Sequence, residues 1–151
     1  MPQHSLTDPP TARFLEVLEQ VRLARDLGFD MIISGQHFLS PPYMHLQSIP
    51  LLARLAGESA PMHIGTGVLL LALYNPVDVA ETIASLDVIS GGRFIFGVGL
   101  GYRDVEYQAF GVERHHRVSR FVEALDVVTR LWTEPQVTFE GQHFLLKEAL
   151  E

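Results

Sequence analysis

Residues 90–111 constrain the fold of this chain more than any other stretch. They read Ser-Gly-Gly-Arg-Phe-Ile-Phe-Gly-Val-Gly-Leu-Gly-Tyr-Arg-Asp-Val-Glu-Tyr-Gln-Ala-Phe-Gly. Gly91-Gly92 ends a helix, 93–98 reads as a short apolar strand, and Gly97, Gly99 and Gly101 open the strand's exit. Acidic and aromatic residues then begin an amphipathic segment. A chain leaving a strand through alternate glycines can bring its backbone against a ligand at the strand's C-terminal end, as barrel-type α/β proteins do.

The rest of the chain repeats the alternation. Asp8 followed by Pro9 predicts a helix start, and Phe14, Leu18, Val21 and Ala24 recur at helical spacing over 11–27. Gly28 stands where a left-handed residue would end that helix. Residues 31–34 read as a short buried strand leading into Gly35-Gln36-His37-Phe38. A helix over 50–56 and a leucine-rich strand over 64–71 follow. Asn75-Pro76-Val77-Asp78 combines an N-cap, a first-turn proline and an early acid, opening a helix with Val79, Ile83, Leu86 and Ile89 on one face. Helices near 105–110 and 118–132 come next, and 137–139 and 143–145 flank Glu140-Gly141-Gln142 as a β-hairpin. Strands alternating with helices imply parallel βα units of an α/β protein. The first residues form a polar, proline-rich tail.

Composition narrows the function classes. The 151 residues suit one domain with a sizeable core, and 47% are hydrophobic against 19% charged, a globular balance. A net charge of −7 with scattered basic residues argues against a nucleic-acid partner. The absence of cysteine excludes disulfides, thiolate nucleophiles and Cys-ligated metals. The N-terminus lacks a secretory signal pattern, and the apolar run 68–73 is too short to span a bilayer, so no membrane partner and a cytoplasmic location are expected.

Several motifs admit two readings. Gly97-Val98-Gly99-Leu100-Gly101 lacks the third glycine of a dinucleotide fingerprint, because position 102 is Tyr102, and no following strand arrives at the right distance. It is either a turn built for backbone packing or a glycine-lined floor for a flat cofactor. His37 lies just past a strand, where a barrel enzyme places its chemistry. An imidazole there can exchange a proton near neutral pH, or it can serve as a hydrogen-bonded structural residue. Gln36 beside it can orient a ring or a substrate but cannot act as a base. Glycines in Gly65-Thr66-Gly67-Val68 mark a bulge, a close approach or a barrel corner. No metal site is expected: there is no His-Glu-x-x-His pair, His115 and His116 are adjacent and point to different faces, and His4, His45, His63 and His143 stand alone. Arg117, Arg120 and Glu123 read as a solvated helix face with local ion pairs.

Taken in order, several segments resemble the bacterial luciferase-like family of flavin-dependent oxidoreductases and monooxygenases. They are Leu27-Gly28-Phe29-Asp30, Gln36-His37, Ile64-Gly65-Thr66-Gly67-Val68, Asn75-Pro76-Val77, Leu86-Asp87-Val88-Ile89-Ser90-Gly91-Gly92-Arg93, Gly97-Val98-Gly99-Leu100-Gly101, Phe110-Gly111, Leu131-Trp132 and Phe139-Glu140-Gly141. The resemblance implies a (β/α)₈ TIM barrel. Of it this chain would supply a partial barrel, roughly strands 2 to 4 with their helices plus the hairpin, as a single truncated domain. The family's first strand and strands 5 to 8, with the loops that hold the cofactor phosphate, would be missing.

It further implies His37 as the active-site histidine. Gly67 and Val68 would form a strand bulge with a non-prolyl cis peptide against the flavin ring, and Gly99, Leu100 and Gly101 would form the loop along the flavin edge. The cofactor implied is reduced FMN, used with O₂ as a monooxygenase on a small organic substrate. The alternative is the deazaflavin coenzyme F-420 in a hydride-transfer branch, and a further alternative is a non-catalytic half-barrel. In the FMN branch a partner flavin reductase would supply the reduced cofactor. An open sheet edge would favour self-association into a homo-oligomer. Two positions depart from the family. Gln36 stands where many relatives carry an acid, and Leu100 stands where luciferase has a basic residue.

Overall fold

The computed structural model describes residues 3–150. In chain order the strands and helices are β1 (Gln3–Ser5), α1 (Pro10–Asp26), β2 (Met31–Ser34), β3 (Tyr43–His45), α2 (Ser48–Leu55), β4 (His63–Thr66), β5 (Leu69–Leu70), α3 (Pro76–Ser90), β6 (Phe94–Ile95), β7 (Val98–Gly99), α4 (Asp104–Ala109), α5 (Arg117–Thr133), β8 (Gln136–Glu140) and β9 (Leu145–Leu150). Single 3-10 turns cover Leu71–Leu73 and Arg114–His116. The chain forms two compact units, one of Met1–Leu69 with Leu86–Gly97, the other of Leu70–Ser85 with Val98–Glu151. The units interleave in sequence, so no single linker separates them.

The first unit is built on a parallel sheet of order β2-β4-β6. Met31 pairs with His63 and Ser34 with Thr66, and Ile64 and Gly65 pair with Phe94 and Ile95. Helices α1 and α2 bury apolar stripes. Val17, Leu18 and Val21 meet Leu51, Leu55 and Met62, with Phe14 and Ala24 packed against them. Leu52, Ala56, Ile64 and Leu86 form a second cluster. Burial of each large aliphatic contributes roughly 1.5–3 kcal/mol. Arg93 ties the far ends together, donating to the carbonyls of Met62 and, at 2.8 Å, Ala56.

The second unit buries Ala124, Val127, Val128 and Leu131 of α5 together with Val137 of β8 and Leu146 of β9. The antiparallel hairpin pairs Glu140 with Leu145, so the turn covers 141–144 instead of the expected 140–142. Trp132 Nε1 donates to the Ala80 carbonyl at 3.1 Å, fixing α5 beside the start of α3.

The glycine stops behave as expected. At Gly28 (φ 78°), Gly91 (φ 69°) and Gly111 (φ 66°) the chain turns left-handed. In each case the glycine and the following residue donate back into the last turn: Gly28 and Phe29 to Arg25 and Ala24, Gly91 and Gly92 to Val88 and Asp87, Gly111 and Val112 to Gln108 and Tyr107. These are paired Schellman bonds. Asn75 also caps α3, its Oδ1 accepting from Val77 N at 2.9 Å.

Other expectations need correction. Helix α1 starts at Pro10 with Pro9 at the N-cap, while Asp8 accepts instead from Ser5 N at 3.2 Å. The polar tail contains β1, which pairs antiparallel with β3 and lies outside the parallel sheet. The strands expected over 64–71 and 93–98 are each broken in two, because Gly67-Val68 and Phe96-Gly97 leave the ladder. On α3 the buried stripe ends on Ser90 (2% exposed), not on Ile89 (60%). From Leu86 the helical period reaches the same face at position 90, and Ser90 satisfies its hydroxyl on the Asp87 carbonyl at 2.9 Å.

Candidate active site

In the parallel sheet, neighbouring strands release their loops side by side. Ser34 and Thr66 are paired, both buried, and Gly67 N donates to the Ser34 carbonyl at 2.9 Å. The peptide between Gly67 and Val68 is cis, as the resemblance implies. Gly67 and Val68 are exposed, while 64–66 before them and 69–73 after them are buried. A bare apolar step is thereby presented at the end of an otherwise buried strand.

Glycine and threonine chemistry build this step. Thr66 Oγ1 donates to the Gly97 carbonyl at 2.8 Å and accepts from Gly97 N at 3.0 Å. A Cβ at position 97 would collide with the Thr66 carbonyl oxygen, and one at position 65 would stand 2.7 Å from the Ile95 carbonyl oxygen. At Gly67 the nearest neighbour of a Cβ would be Ile33 Cδ1 at 3.0 Å. The main chains approach too closely for side chains, which is the close-approach reading of these glycines.

His37 lies three residues beyond Ser34, in the loop leaving β2. Gln36 is buried, and its Nε2 donates to Gln47 Oε1 at 3.4 Å. Gln47 Nε2 donates to the His37 carbonyl at 3.0 Å. The His37 ring meets the His45 ring edge-on with centroids 5.9 Å apart. The structure thus brings Gln36, His37, Gly67 and Val68 to the same end of the sheet through the Ser34–Thr66 register. Gln47 was not identified from sequence. Its contact to His37 spans ten residues, which no local pattern announces.

Gly99, Leu100 and Gly101 belong to the second unit. Gly101 has φ 78°, and a Cβ there would lie 3.3 Å from Leu70 Cδ2 and 3.7 Å from Tyr107 Oη. Tyr107, 1% exposed, donates its hydroxyl to the Leu100 carbonyl. Burial pushes the Tyr107 phenol above its ordinary value, so it remains a donor through neutral pH. The equally buried Glu106 receives Arg103 at 3.2 Å. Sequence reasoning recognised α4 as amphipathic but did not identify Tyr107 as the anchor of the glycine segment.

The second unit also corrects the histidine reading. The His115 and His116 rings do not point apart: they lie with centroids 3.8 Å apart where a 3-10 turn leads into α5. His143 does not stand alone: its ring is 5.1 Å from that of His116, and Ser119 Oγ lies 2.7 Å from its Nε2. Nor do Arg120 and Glu123 form a solvated face. Arg120 donates to the Ala72 carbonyl at 3.0 Å and lies 4.7 Å from the Phe144 ring centroid. Glu123 accepts from the main-chain N–H groups of Gln142 and His143 at 3.0 and 2.9 Å. His45 meets His37, and His63 Nδ1 lies 3.2 Å from the Arg93 carbonyl. Among the described residues no group of three or more His, Asp or Glu side chains could hold a metal ion, and no helix is long and apolar enough to cross a membrane.

Comparison with known proteins places this geometry. The family described as luciferase-like monooxygenase matches residues 1–150. The F420-dependent glucose-6-phosphate dehydrogenase of Microbacterium testaceum is 32% identical over 142 residues, covering 89% of this chain and 42% of that protein. The crystal structure of monooxygenase RslO1 from Streptomyces bottropensis superposes with a TM-score of 0.84 at 28% identity, over 93% of this chain and 43% of that one. An F420-dependent secondary alcohol dehydrogenase in complex with an F420-acetone adduct gives 0.80 at 29% identity, over 91% and 44%. The chain spans less than half the length of each of these relatives, and its α/β fold resembles theirs. It belongs to the luciferase-like monooxygenase family, whose members include flavin- and F420-dependent oxidoreductases.

Proposed function

We propose that this chain contributes the β2–β4–β6 segment of a (β/α)₈ barrel, equivalent to barrel strands 2 to 4, within a redox enzyme that uses a flavin-type cofactor. The observation that carries the reading is the exposed Gly67–Val68 step set between buried runs, beside the loop that bears His37. A flat heteroaromatic ring fits such a surface. The Gly67 backbone carries no side chain to hold the ring away, and the half-exposed Val68 side chain offers an apolar contact. For Gly99, Leu100 and Gly101 we keep the cofactor-binding role that the family resemblance implies.

Hydride transfer with the deazaflavin coenzyme F420 is the first reading. It is supported by the 32% identical glucose-6-phosphate dehydrogenase and the 29% identical secondary alcohol dehydrogenase, both F420-dependent. When bound, this cofactor supplies the hydride acceptor. Oxidation of a CH–OH carbon to a carbonyl also releases the hydroxyl proton, and His37 is the residue placed to take it on a ring nitrogen. A neutral imidazole can accept a proton on a ring nitrogen, whereas Gln36 can only orient. The segment around Gly67 and Val68 holds the ring and shields one face from water. Monooxygenation with reduced FMN and O₂ is the second reading, supported by the 28% identical monooxygenase RslO1.

Fluorescence titration with coenzyme F420 and, separately, with FMN tests the reading. The chain spans less than half the length of its relatives, so weak affinity is expected and the titration extends into the millimolar range. Tighter binding of F420, weakened about tenfold (about 1.4 kcal/mol) by Val68→Glu, supports the first reading. Tighter binding of FMN moves the assignment to the second. Binding of either cofactor that ignores Val68→Glu refutes the Gly67–Val68 platform. The free edges of β2 and β6 in the three-stranded sheet also support association of two copies, and sedimentation that shows only monomer would refute it.

A further inference from the structure

We propose that Gln47 is the positioning residue for His37, transmitting the rigidity of helix α2 to a loop that has no ladder of its own. The inference rests on the reading that places His37 at the reacting end of the sheet.

Gln47 occupies the N-cap position of α2, with φ −63° and ψ 137°, and its carbonyl accepts from Leu51 N at 3.2 Å. That position favours Ser, Thr, Asp or Asn, whose short side chains reach back to the first free N–H groups. Gln47 makes no such cap bond. Its amide is directed away from its own helix: Nε2 donates to the His37 carbonyl at 3.0 Å, and Oε1 accepts from Gln36 Nε2 at 3.4 Å. The orientation is determined by chemistry. Only an N–H can face a carbonyl oxygen, so Oε1 must face the Gln36 donor. Helix α2 is in turn anchored by Leu51, Leu52 and Leu55, all buried.

The segment that carries Gln47 grips His37 twice. His45, two residues earlier on β3, stands edge-on to the His37 ring at 5.9 Å, and β3 is itself paired with β1. One side chain holds the main chain of His37 and another flanks its ring. Loop residues outside a ladder otherwise open at low cost. The amide relay Gln36–Gln47–His37 also gives Gln36 a role: it orients Gln47, and through Gln47 the histidine, without a charge.

The test is side-chain NMR of the full chain, with histidine isotopically labelled, comparing wild type with Gln47→Glu and Gln47→Met. Gln47→Glu keeps size and shape but sets a carboxylate oxygen against the His37 carbonyl. Gln47→Met keeps length and removes both polar atoms. In each, the His37 ring cross-peak is expected to move and its nuclear Overhauser contact to His45 to be lost. The rings of His63, His115, His116 and His143 should keep their positions, and the urea midpoint should remain close to that of wild type. Gln36→Leu should produce the same change at smaller amplitude. An unmoved His37 ring in folded Gln47→Met would overturn the proposal, as would a uniform shift of all seven histidines with lost stability, which would make Gln47 merely structural. If neither Gln47 variant folds, Gln36→Leu decides it by the same two criteria. The readout requires no cofactor. A His37→Ala variant that keeps full turnover would sink the function assigned to His37 and leave the Gln47 result standing.

Discussion

In the first unit the chain leaves the parallel sheet where main chains press together too closely for a Cβ, with one threonine hydroxyl tying them. Gly97 sits against the Thr66 carbonyl with no room for a Cβ, and Thr66 itself closes two hydrogen bonds on the Gly97 peptide. In the second unit the exit of β7 is held by a side chain, the buried Tyr107 hydroxyl on the Leu100 carbonyl. Their polar networks differ in the same way. The first unit gathers charge on one carboxylate, with Glu58 receiving Arg22 at 2.9 Å and Arg54 at 3.0 Å. The second gathers imidazoles, with His116 between His115 and His143. The first arrangement is intolerant of any added atom, while the second depends on particular side-chain atoms and their protonation. Substitution should therefore distinguish the two.

The largest expected effect is that of Gly97→Ala, where the new methyl meets backbone that cannot rotate aside. Overpacking of this kind costs about 3 kcal/mol, and a urea midpoint measures it. Gly65→Ala should follow closely, its Cβ falling 2.7 Å from the Ile95 carbonyl oxygen. Gly57→Ala is the control: nothing lies within 4 Å of its Cβ position, and the change should stay within about 0.5 kcal/mol. A Gly97→Ala chain as stable as Gly57→Ala would remove the close-approach argument.

Thr66→Val comes next. It keeps the shape and deletes both side-chain bonds to Gly97, leaving a half-buried N–H and carbonyl with one partner fewer, for an expected loss of about 1–2 kcal/mol. Tyr107→Phe in the second unit removes one donor from one carbonyl and should cost about 1 kcal/mol. Its distinguishing sign is local: amide exchange should accelerate in 99–102 and remain unchanged in 63–67. Equal acceleration in both stretches would abolish the contrast between the two exits.

The parts of this molecule that were legible in the sequence are those governed by neighbours a few residues away. Gly28, Gly91 and Gly111 announce helix ends because a left-handed residue with its paired return bonds is a local event. Asn75-Pro76 announces α3 for the same reason. The break at Gly67-Val68 was marked by its glycines as a bulge, a close approach or a corner, whereas the one at Phe96-Gly97 was hidden because apolar residues continue up to it, and hydropathy does not register that the ladder has ended. Strands β1 and β3 escaped notice as three-residue segments in polar, proline-rich surroundings, each given its conformation by the other. At the candidate site His37, Gly67 and Val68 were readable as types at strand ends. Gln47 and Tyr107 were not, because their significance lies in a carbonyl they reach only after folding. The same holds for His116 and His143, twenty-seven residues apart in sequence and brought together by the packing of the hairpin on α5.

Acid provides the finest separation of the two units. Desolvation, followed by the neighbouring His115 and His143, lowers the His116 value below that of a free imidazole, so the folded chain favours the neutral ring. The unfolded chain then binds more protons once the pH falls to the ordinary histidine value near 6.5, and stability declines from there downward. Glu113 opposes the trend, and Arg120 on α5 adds a smaller lowering effect. Glu58 behaves as a depressed carboxylate. Hydrogen bonds from Arg22 and then Arg54 lower it from 4.5 to about 2, so its contribution is intact above 4.5 and is lost as the pH falls toward 2. Both units are therefore acid-sensitive, in windows that open at different pH, the histidine one first as the pH falls. Urea midpoints measured from pH 8 to pH 2 should show the upper decline flattened by His116→Gln and the lower one reduced by Glu58→Gln, the remainder of the lower decline staying with Glu123 and Glu134 of the second unit, which are also held below the ordinary carboxylate value. Because both clusters are largely solvated, the slopes should be shallow and the lower one weakened by salt. A single decline that responds to both substitutions would mean that the two units titrate as one.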